Sequence, residues 1–342
     1  MDITQKINAF VQLGHTIKAF SANQKAALGQ MVKTKNEWFT PENLHLALQG
    51  LQQYLNKTQL EQWISRYPAL QQPPQEQTPR KVGVVMAGDT PAMGFHDLLS
   101  VVLSGHVLYA KLPSQDAVLM QELIRLLLEI SPELKTQIVV MEQLKGMEAI
   151  IATENDNSSR YLKSYFGHLP HIIRQNRSSV AVLAGNESKE TLALLGQDLF
   201  QYFGLSNRNV SQLLVPQGYQ FDPFFEAIFS WGEALLAHSK YANSYEYHRA
   251  LFLMKKMNML DNNFLLLAEY DSVSSPAGVL FFEYYDNEAA LQQKLADRAA
   301  QIQNVVTHHE ALDNRVAFGQ AATPLLWDYA DRVDTMEFLA KL

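Results

Sequence analysis

The residues able to do chemistry in this chain are few, and one type is missing. None of the 342 residues is cysteine, so disulfides, thiolate metal sites and cysteine nucleophiles are all excluded. Ser206, in Gly204-Leu205-Ser206-Asn207-Arg208-Asn209, carries a hydroxyl but has no base beside it, and its high pKa makes it a poor nucleophile. Asn207 offers only an amide, and this segment also reads as a turn held by Asn and Ser hydrogen bonds. Asp89, in Gly88-Asp89-Thr90-Pro91, reads as a loop aspartate capping the helix or turn after it. Lys111, in Lys111-Leu112-Pro113-Ser114, puts a cation at the end of a strand, and Glu154 and Asp156 make the loop after Thr153 acidic. Arg174 and Arg177 come after His168-Leu169-Pro170-His171, and these basic residues either meet a phosphate or pair with nearby acids. His96 could serve as a general acid, but capping or packing of the helix start is the better reading. Tyr245, Tyr247 and His248 read as helix surface and core. His308 and His309 are adjacent, so in a strand they face opposite ways and would not share one metal ion.

Composition narrows the function classes. A 47% hydrophobic content fits a well-packed globular chain, and the length allows roughly two or three domains. A net charge of −7, with Lys and Arg spread along the chain, argues against nucleic acid or an anionic membrane surface as partner. The segment MDITQKINAF has neither a long apolar core nor a cleavage site, and no run of about 18 apolar residues appears. The expectation is a cytoplasmic protein with no membrane span.

The elements that must position these residues come in a simple order. Four helices are expected over residues 1 to about 66, with capping boxes at Asp2/Gln5, Ser21/Gln24 and Thr58/Glu61, and with Pro41 after the cap Thr40. Proline-rich Gln71 to Arg80 reads as a linker or surface loop. Strands are expected next at Lys81 to Ala87, Val107 to Leu112, Gln137 to Met141 and Glu148 to Thr153, with a helix near Phe95 and another capped by Ser114. Strands alternating with helices imply parallel pairing and a doubly wound sheet. A second set has strands at Ser179 to Ala184, Val210 to Pro216, Phe264 to Glu269, Gly278 to Tyr285 and Gln301 to His308. Its helices are expected at Glu187 to Tyr202, Phe221 to His238 and Tyr241 to Met257, and after the cap Asn287. No GxGxxG, P-loop or nucleophile-elbow motif occurs.

Several segments together resemble the LuxC-like acyl-CoA reductases, a branch of the aldehyde dehydrogenase superfamily. They are GDTPAMGFHDLLSVVLSGHVLYAKLPSQD (88–116), IIATENDNSSRYLKSYFGHLPHIIRQNRSSVAVLAGNES (150–188), QDLFQYFGLSNRNVSQLLVP (197–216), KYANSYEYHRALFLM (240–254), DNNFLLLAEYDSVSSPAGVLFFEYYD (261–286) and WDYADRVDTMEFL (327–339). The resemblance runs from about residue 80 to the C-terminus. It implies an aldehyde-dehydrogenase-like α/β fold: a helical segment (1–75), a Rossmann-like cofactor domain (76–180), a catalytic-type α/β domain (181–310) and a C-terminal segment packing back (311–342).

The family reaction reduces a fatty acyl thioester with NADPH through a cysteine acyl-enzyme, because a thiolate attacks and leaves well near neutral pH. Carried over by position, the nucleophile falls on Asn207, which is not competent, and Ser206 is the only neighbouring substitute. Asp89 stands where the family has an oxyanion-stabilising asparagine; a carboxylate there helps only if protonated. In the small-residue turn that the family places close to the cofactor, Thr153 is kept, while Glu154 and Asp156 add side chains and negative charge that repel a pyrophosphate. Lys111 and Ser114 keep the family's cofactor-contact pattern, and Arg174 is a further cofactor candidate. The resemblance thus implies NADP(H) as cofactor, an acyl-CoA or fatty acyl ligand, and a homodimer or partner enzyme. Two readings remain open: a reductase with altered chemistry, such as direct hydride transfer to a bound thioester, and a noncatalytic homologue that binds a ligand or partner.

Overall fold

The computed structural model describes residues 1–70, 79–153, 156–175, 177–310, 312 and 315–342, with the backbone alone for 156–160. Glu154, Asn155, Asn176 and most of the expected linker (71–78) lie outside the described residues. The chain forms two compact units, Met1–Asn176 with Leu325–Leu342, and Arg177–Pro324.

The first unit opens with four helices, α1 (Ile3–Lys18), α2 (Ala22–Lys35), α3 (Pro41–Tyr54) and α4 (Lys57–Ser65). Asp2 and Ser21 form the expected capping boxes with Gln5 and Gln24, and Thr40 accepts from the Asn43 N–H. Thr58 is not a cap. Asn56, two residues earlier, accepts from the N–H groups of Thr58 and Gln59 and starts α4 sooner. The helices bury Phe10, Leu13, Ile17, Leu60 and Trp63 in one apolar core with the adjoining α/β layer. Phe10 meets Phe95 edge-on, with ring centroids 6.3 Å apart.

That layer runs β1 (Lys81–Val85), α5 (Phe95–Leu103), β2 (Val107–Lys111), α6 (Ala117–Ile130), β3 (Ile138–Val140), β4 (Ala149–Thr153), α7 (Asp156–Phe166) and β5 (His171–Arg174). The sheet order is β3-β2-β1-β4-β5, all parallel. Strand order reverses between β1 and β4, so that pair is the topological switch point. Ser114 does not cap α6. It is exposed, and the helix begins after Asp116, whose side chain is turned elsewhere.

The second unit contains β6 (Ser178–Val182), α8 (Lys189–Phe200), β7 (Val210–Pro216), α9 (Asp222–Ile228), α10 (Gly232–Leu236), α11 (Ser239–Met254), β8 (Met259–Asp261), β9 (Leu266–Glu269), β10 (Val279–Tyr285), α12 (Glu288–Asp297), β11 (Ile302–Val306) and β12 (Arg315–Val316). Its sheet order is β12-β11-β6-β7-β10-β9-β8; every pair is parallel except β8 with β9. Asn287 caps α12 as expected. The single helix expected over Phe221 to His238 is broken by a 3-10 turn at Phe229–Trp231. There the Trp231 ring packs against Phe200 and leaves no room for a side chain at Gly196.

The chain then returns to the first unit. The tail ends in α13 (Thr335–Ala340), which buries Met336 and Leu339 in the first unit's core. Tyr329 accepts from Trp63 Nε1 at 2.7 Å, and Tyr67 donates to Asp334 at 2.7 Å. His96 also packs here, against Trp63 and Tyr329, with its Nε2 2.8 Å from the Leu326 carbonyl. These contacts give it a packing role.

Candidate functional site

The first unit presents its candidate residues at the carboxyl edge of the parallel sheet, where ligands of such sheets bind. Pairing sets Val85 beside Lys111 on one side and Ala152 on the other, and sets Thr153 beside Arg174. The ends of β2, β1, β4 and β5 therefore form one rim. Lys111 and Ser114 are exposed on it.

The loop after β1 is built for close approach. A Cβ on Gly88 would sit 2.7 Å from Pro113 Cβ, so this position admits no side chain without moving the β2–α6 connection. Asp89 comes next and is exposed, with surrounding protein pushing its carboxyl above the usual range by desolvation. Ala92 adopts φ +60°, a left-handed conformation that costs a non-glycine residue about 1 kcal/mol or more. Its N–H is held by Asp116 Oδ2 at 2.7 Å.

Asp116 went unread in the sequence except as the end of a motif. Only 1% of it is exposed, and its Oδ1 has no hydrogen-bond partner among the described residues. Burial pushes its carboxyl up to about 8, the Ala92 N–H working in the opposite direction. It is a neutral acid at neutral pH, pinning the loop that carries Asp89 to the base of α6.

Arg174 is placed inside the unit. Its guanidinium forms a two-pronged ion pair with Asp97 at 2.7 and 2.9 Å, and also donates to Thr153 Oγ1 at 3.2 Å and Thr335 Oγ1 at 2.8 Å. Burial opposes its charge, but Asp97, through charge and hydrogen bonds, and Asp331 hold its pKa above the usual arginine value. These bonds tie β5, β4, α5 and the tail together, and they occupy both Nη groups that a phosphate would use. Thr153 belongs to the same cluster. Neither Asp97 nor Thr335 was singled out in the sequence, because each lies far along the chain from Arg174.

In the second unit, Ser206 and Asn207 sit in the turn between α8 and β7. After α8 the chain passes through three left-handed residues, Tyr202 (φ +53°), Phe203 (φ +59°) and Gly204 (φ +75°). Asn209 then staples the turn: its Oδ1 accepts from the Ser206 N–H at 2.9 Å and its Nδ2 donates to the Asp198 carbonyl at 2.8 Å. Ser206 Oγ accepts from the Arg208 N–H at 3.2 Å. Asn207 is half-buried, and its carbonyl lies 3.5 Å from Ser179 Oγ.

Asp198, 1% exposed, takes the N–H groups of Gly319 and Ala321 at 2.6 and 2.9 Å. Burial raises its carboxyl to about 6. Its neighbours are main-chain amides, so it acts as a brace for the turn and the 319–321 segment. His308 meets Phe318 edge-on, and His309 Nε2 lies 3.0 Å from Glu288. Among the described residues no group of three or more His, Asp or Glu could hold a metal ion, and no helix is long and apolar enough to cross a membrane.

No protein-family model and no curated protein matches the chain. Solved structures do. NADP-dependent glyceraldehyde-3-phosphate dehydrogenase from Bacillus halodurans, complexed with NADP, aligns with TM-score 0.66 at 11% identity, over 91% of this chain and 75% of that one. Aldehyde dehydrogenase from Mycobacterium tuberculosis, complexed with NAD+, aligns with TM-score 0.61 at 10% identity, over 90% and 73%. Betaine aldehyde dehydrogenase from Staphylococcus aureus aligns with TM-score 0.64 at 10% identity, over 95% and 75%. The fold is aldehyde-dehydrogenase-like, preceded by the helical segment α1–α4.

Proposed function

We propose that this chain is a LuxC-like homologue that binds a nicotinamide dinucleotide at the carboxyl edge of its first sheet, and whose thioester-reducing chemistry is lost or altered. The observation that carries it is Asn207. It stands at the nucleophile position in a chain without a single cysteine. Ser206, the one hydroxyl beside it, already accepts the Arg208 N–H, and among the described residues no titratable group hydrogen-bonds its hydroxyl. A hydroxyl so placed has nothing to take its proton.

Cofactor binding rests on the rim. Lys111 and Ser114 are exposed at the end of β2, and a cation there suits a ribose 2′-phosphate, which favours NADP(H) over NAD(H). The dinucleotide, when bound, supplies a hydride. The chain's own part is to hold it: Lys111 neutralises the phosphate, Gly88 lets the loop after β1 lie against Pro113, and the Asp116–Ala92 bond fixes that loop. Asp89 sets a carboxyl where an amide donor would serve an oxyanion. An acyl-CoA or fatty acyl chain is the ligand class the family resemblance suggests.

The test is calorimetric NADPH binding, and then NADPH oxidation with long-chain acyl-CoA. The noncatalytic reading expects binding without turnover, and gain of acyl transfer in the Asn207→Cys/Asp89→Asn double variant. Turnover by the unmodified chain would instead favour direct hydride transfer. Failure to bind NADPH at millimolar concentration would remove the cofactor role.

A further inference from the structure

The Arg174 guanidinium joins the tail of the chain to the rim of the first sheet. Its Nη1 donates to Asp97 Oδ2 and to Thr153 Oγ1, and its Nη2 donates to Asp97 Oδ1 and to Thr335 Oγ1. Asp97 on α5 holds one edge of this planar group, and Thr153 on β4 and Thr335 on α13 sit at its outer corners. Water is kept away: Arg174 is 4% exposed, Asp97 6% and Thr335 0%. A buried guanidinium proton without an acceptor is costly, so the group rests where both Nη atoms find all their acceptors.

The direction of each bond is forced. A guanidinium has protons to give and no lone pair. Thr153 Oγ1 therefore accepts from it, at 3.2 Å, and keeps its own proton to give. Among the described residues nothing accepts that proton. Thr153 is the last residue of β4, half-buried, and β4 with β1 forms the switch point of the first sheet, where ligands of such sheets bind. Thr335 differs: it accepts from Arg174 at 2.8 Å and gives its proton to the Val333 carbonyl at 3.4 Å.

The tail is bent to reach this place. Asp331 and Arg332 adopt φ +56° and +59°, two left-handed non-glycine residues in succession. Such a pair is costly and persists only where its surroundings over-determine it. The bend sets Asp331 Oδ2 3.3 Å from the N–H of Gln175, next to Arg174 in sequence, and starts α13 with Thr335 on the guanidinium.

We propose that Thr335 is a positioning residue for the dinucleotide: acting through Arg174, it sets the Thr153 hydroxyl to donate to an acceptor oxygen of the ligand, so that docking of the tail and occupation of the rim are linked. This rests on the cofactor reading above. The Thr153 bond is the longest of the four, so a tilt of the guanidinium loses it first. Removing the Thr335 hydroxyl leaves an Nη2 proton buried without its acceptor, which supplies the tilt. The linkage is reciprocal: a ligand that takes the Thr153 proton steadies the guanidinium and holds the tail.

Calorimetric titration of the full chain with NADPH, and with 2′-phospho-ADP-ribose, which keeps the pyrophosphate and lacks the nicotinamide, tests this. Thr153→Val should weaken NADPH binding roughly tenfold and Thr335→Val about three- to tenfold, with Thr335→Ser restoring it. The double variant should bind no worse than Thr153→Val alone, a non-additivity that a merely structural Thr335 would not give. A loss with both ligands assigns the acceptor to the pyrophosphate; a loss with NADPH alone assigns it to the nicotinamide carboxamide. Without any variant, saturating NADPH should slow amide exchange in α13 of the unmodified chain. Unchanged affinity in Thr335→Val, additive losses in the double variant, or unchanged exchange in α13 each overturn the proposal and leave the cofactor reading standing. No NADPH binding by the unmodified chain overturns both.

Discussion

Replacing Asp116 by asparagine should change how the first unit's stability depends on pH. In the folded chain the carboxyl titrates at about 8, against 3.8 for an unperturbed aspartate. The sign comes from linkage. Below about pH 4 both states hold the proton, and the group contributes nothing to the pH dependence. Between about pH 4 and 8 the unfolded chain releases its proton while the folded one keeps it, so stability falls by about 1.4 kcal/mol per pH unit. By pH 7 roughly 4 kcal/mol has gone. Above about pH 8 both states are ionised and the loss levels off. The amide keeps an oxygen to accept from Ala92 and does not titrate. Every other group titrates alike in both proteins, so their difference isolates this one. Scanning calorimetry between about pH 5 and 8 should show the two melting curves diverging in favour of Asp116→Asn. For a unit of this size the divergence is roughly 3–5 °C per pH unit. Parallel curves would refute the reasoning, because they would mean that the carboxyl is solvated or paired in the folded chain.

Other substitutions test other parts of the structure. Arg174→Met leaves Asp97 buried and unpaired and should cost about 3–5 kcal/mol, read as a fall of roughly 10 °C in melting temperature, most of it recovered in Arg174→Met/Asp97→Leu. Gly204→Ala places a side chain at φ +75° and against the Leu199 carbonyl, and should lower the urea midpoint by the equivalent of about 1–2 kcal/mol. Lys6 is 7% exposed, donates to the Val102 carbonyl at 3.1 Å, and is pushed down to about 8 by burial. Its folded pKa lies below its unfolded one, so it costs stability as pH falls from about 10.5 to about 8. Lys6→Met should remove that dependence, a relative gain of up to roughly 3 kcal/mol at neutral pH in denaturant titrations.

What the sequence made legible was local. Capping boxes at Asp2 and Ser21 need only residues three apart, and the apolar runs of β1, β4, β7 and β10 carry their own period. Thr58 and Ser114 failed as caps because a competitor lay within two residues: Asn56 in one case, and Asp116, drawn away to Ala92, in the other. Strand β5 was hidden among basic residues. Its alternation, with Ile172 and Arg174 inward, only makes sense once Asp97 is seen to await the guanidinium. Arg174 is 77 residues from Asp97 and 161 from Thr335, distances over which no spacing rule operates. Asp116 stayed unread because a buried acid held by one main-chain N–H looks, in sequence, like any surface aspartate after a proline turn. The positions of Asn207 and Asp89 were read through family likeness; composition contributed only the absence of thiol.

The return of residues 325–342 to the first unit bears on how the chain is made. Met336 and Leu339 fill the first unit's core, Tyr329 caps Trp63, and Thr335 completes the shell around Arg174. On the ribosome, the first 176 residues emerge with a hole where that tail belongs, and the contiguous 177–324 unit is complete before they can close. The second unit's residues are thus all synthesised before the first unit's last segment is. The helices and first sheet cannot complete their core until α13 has been made.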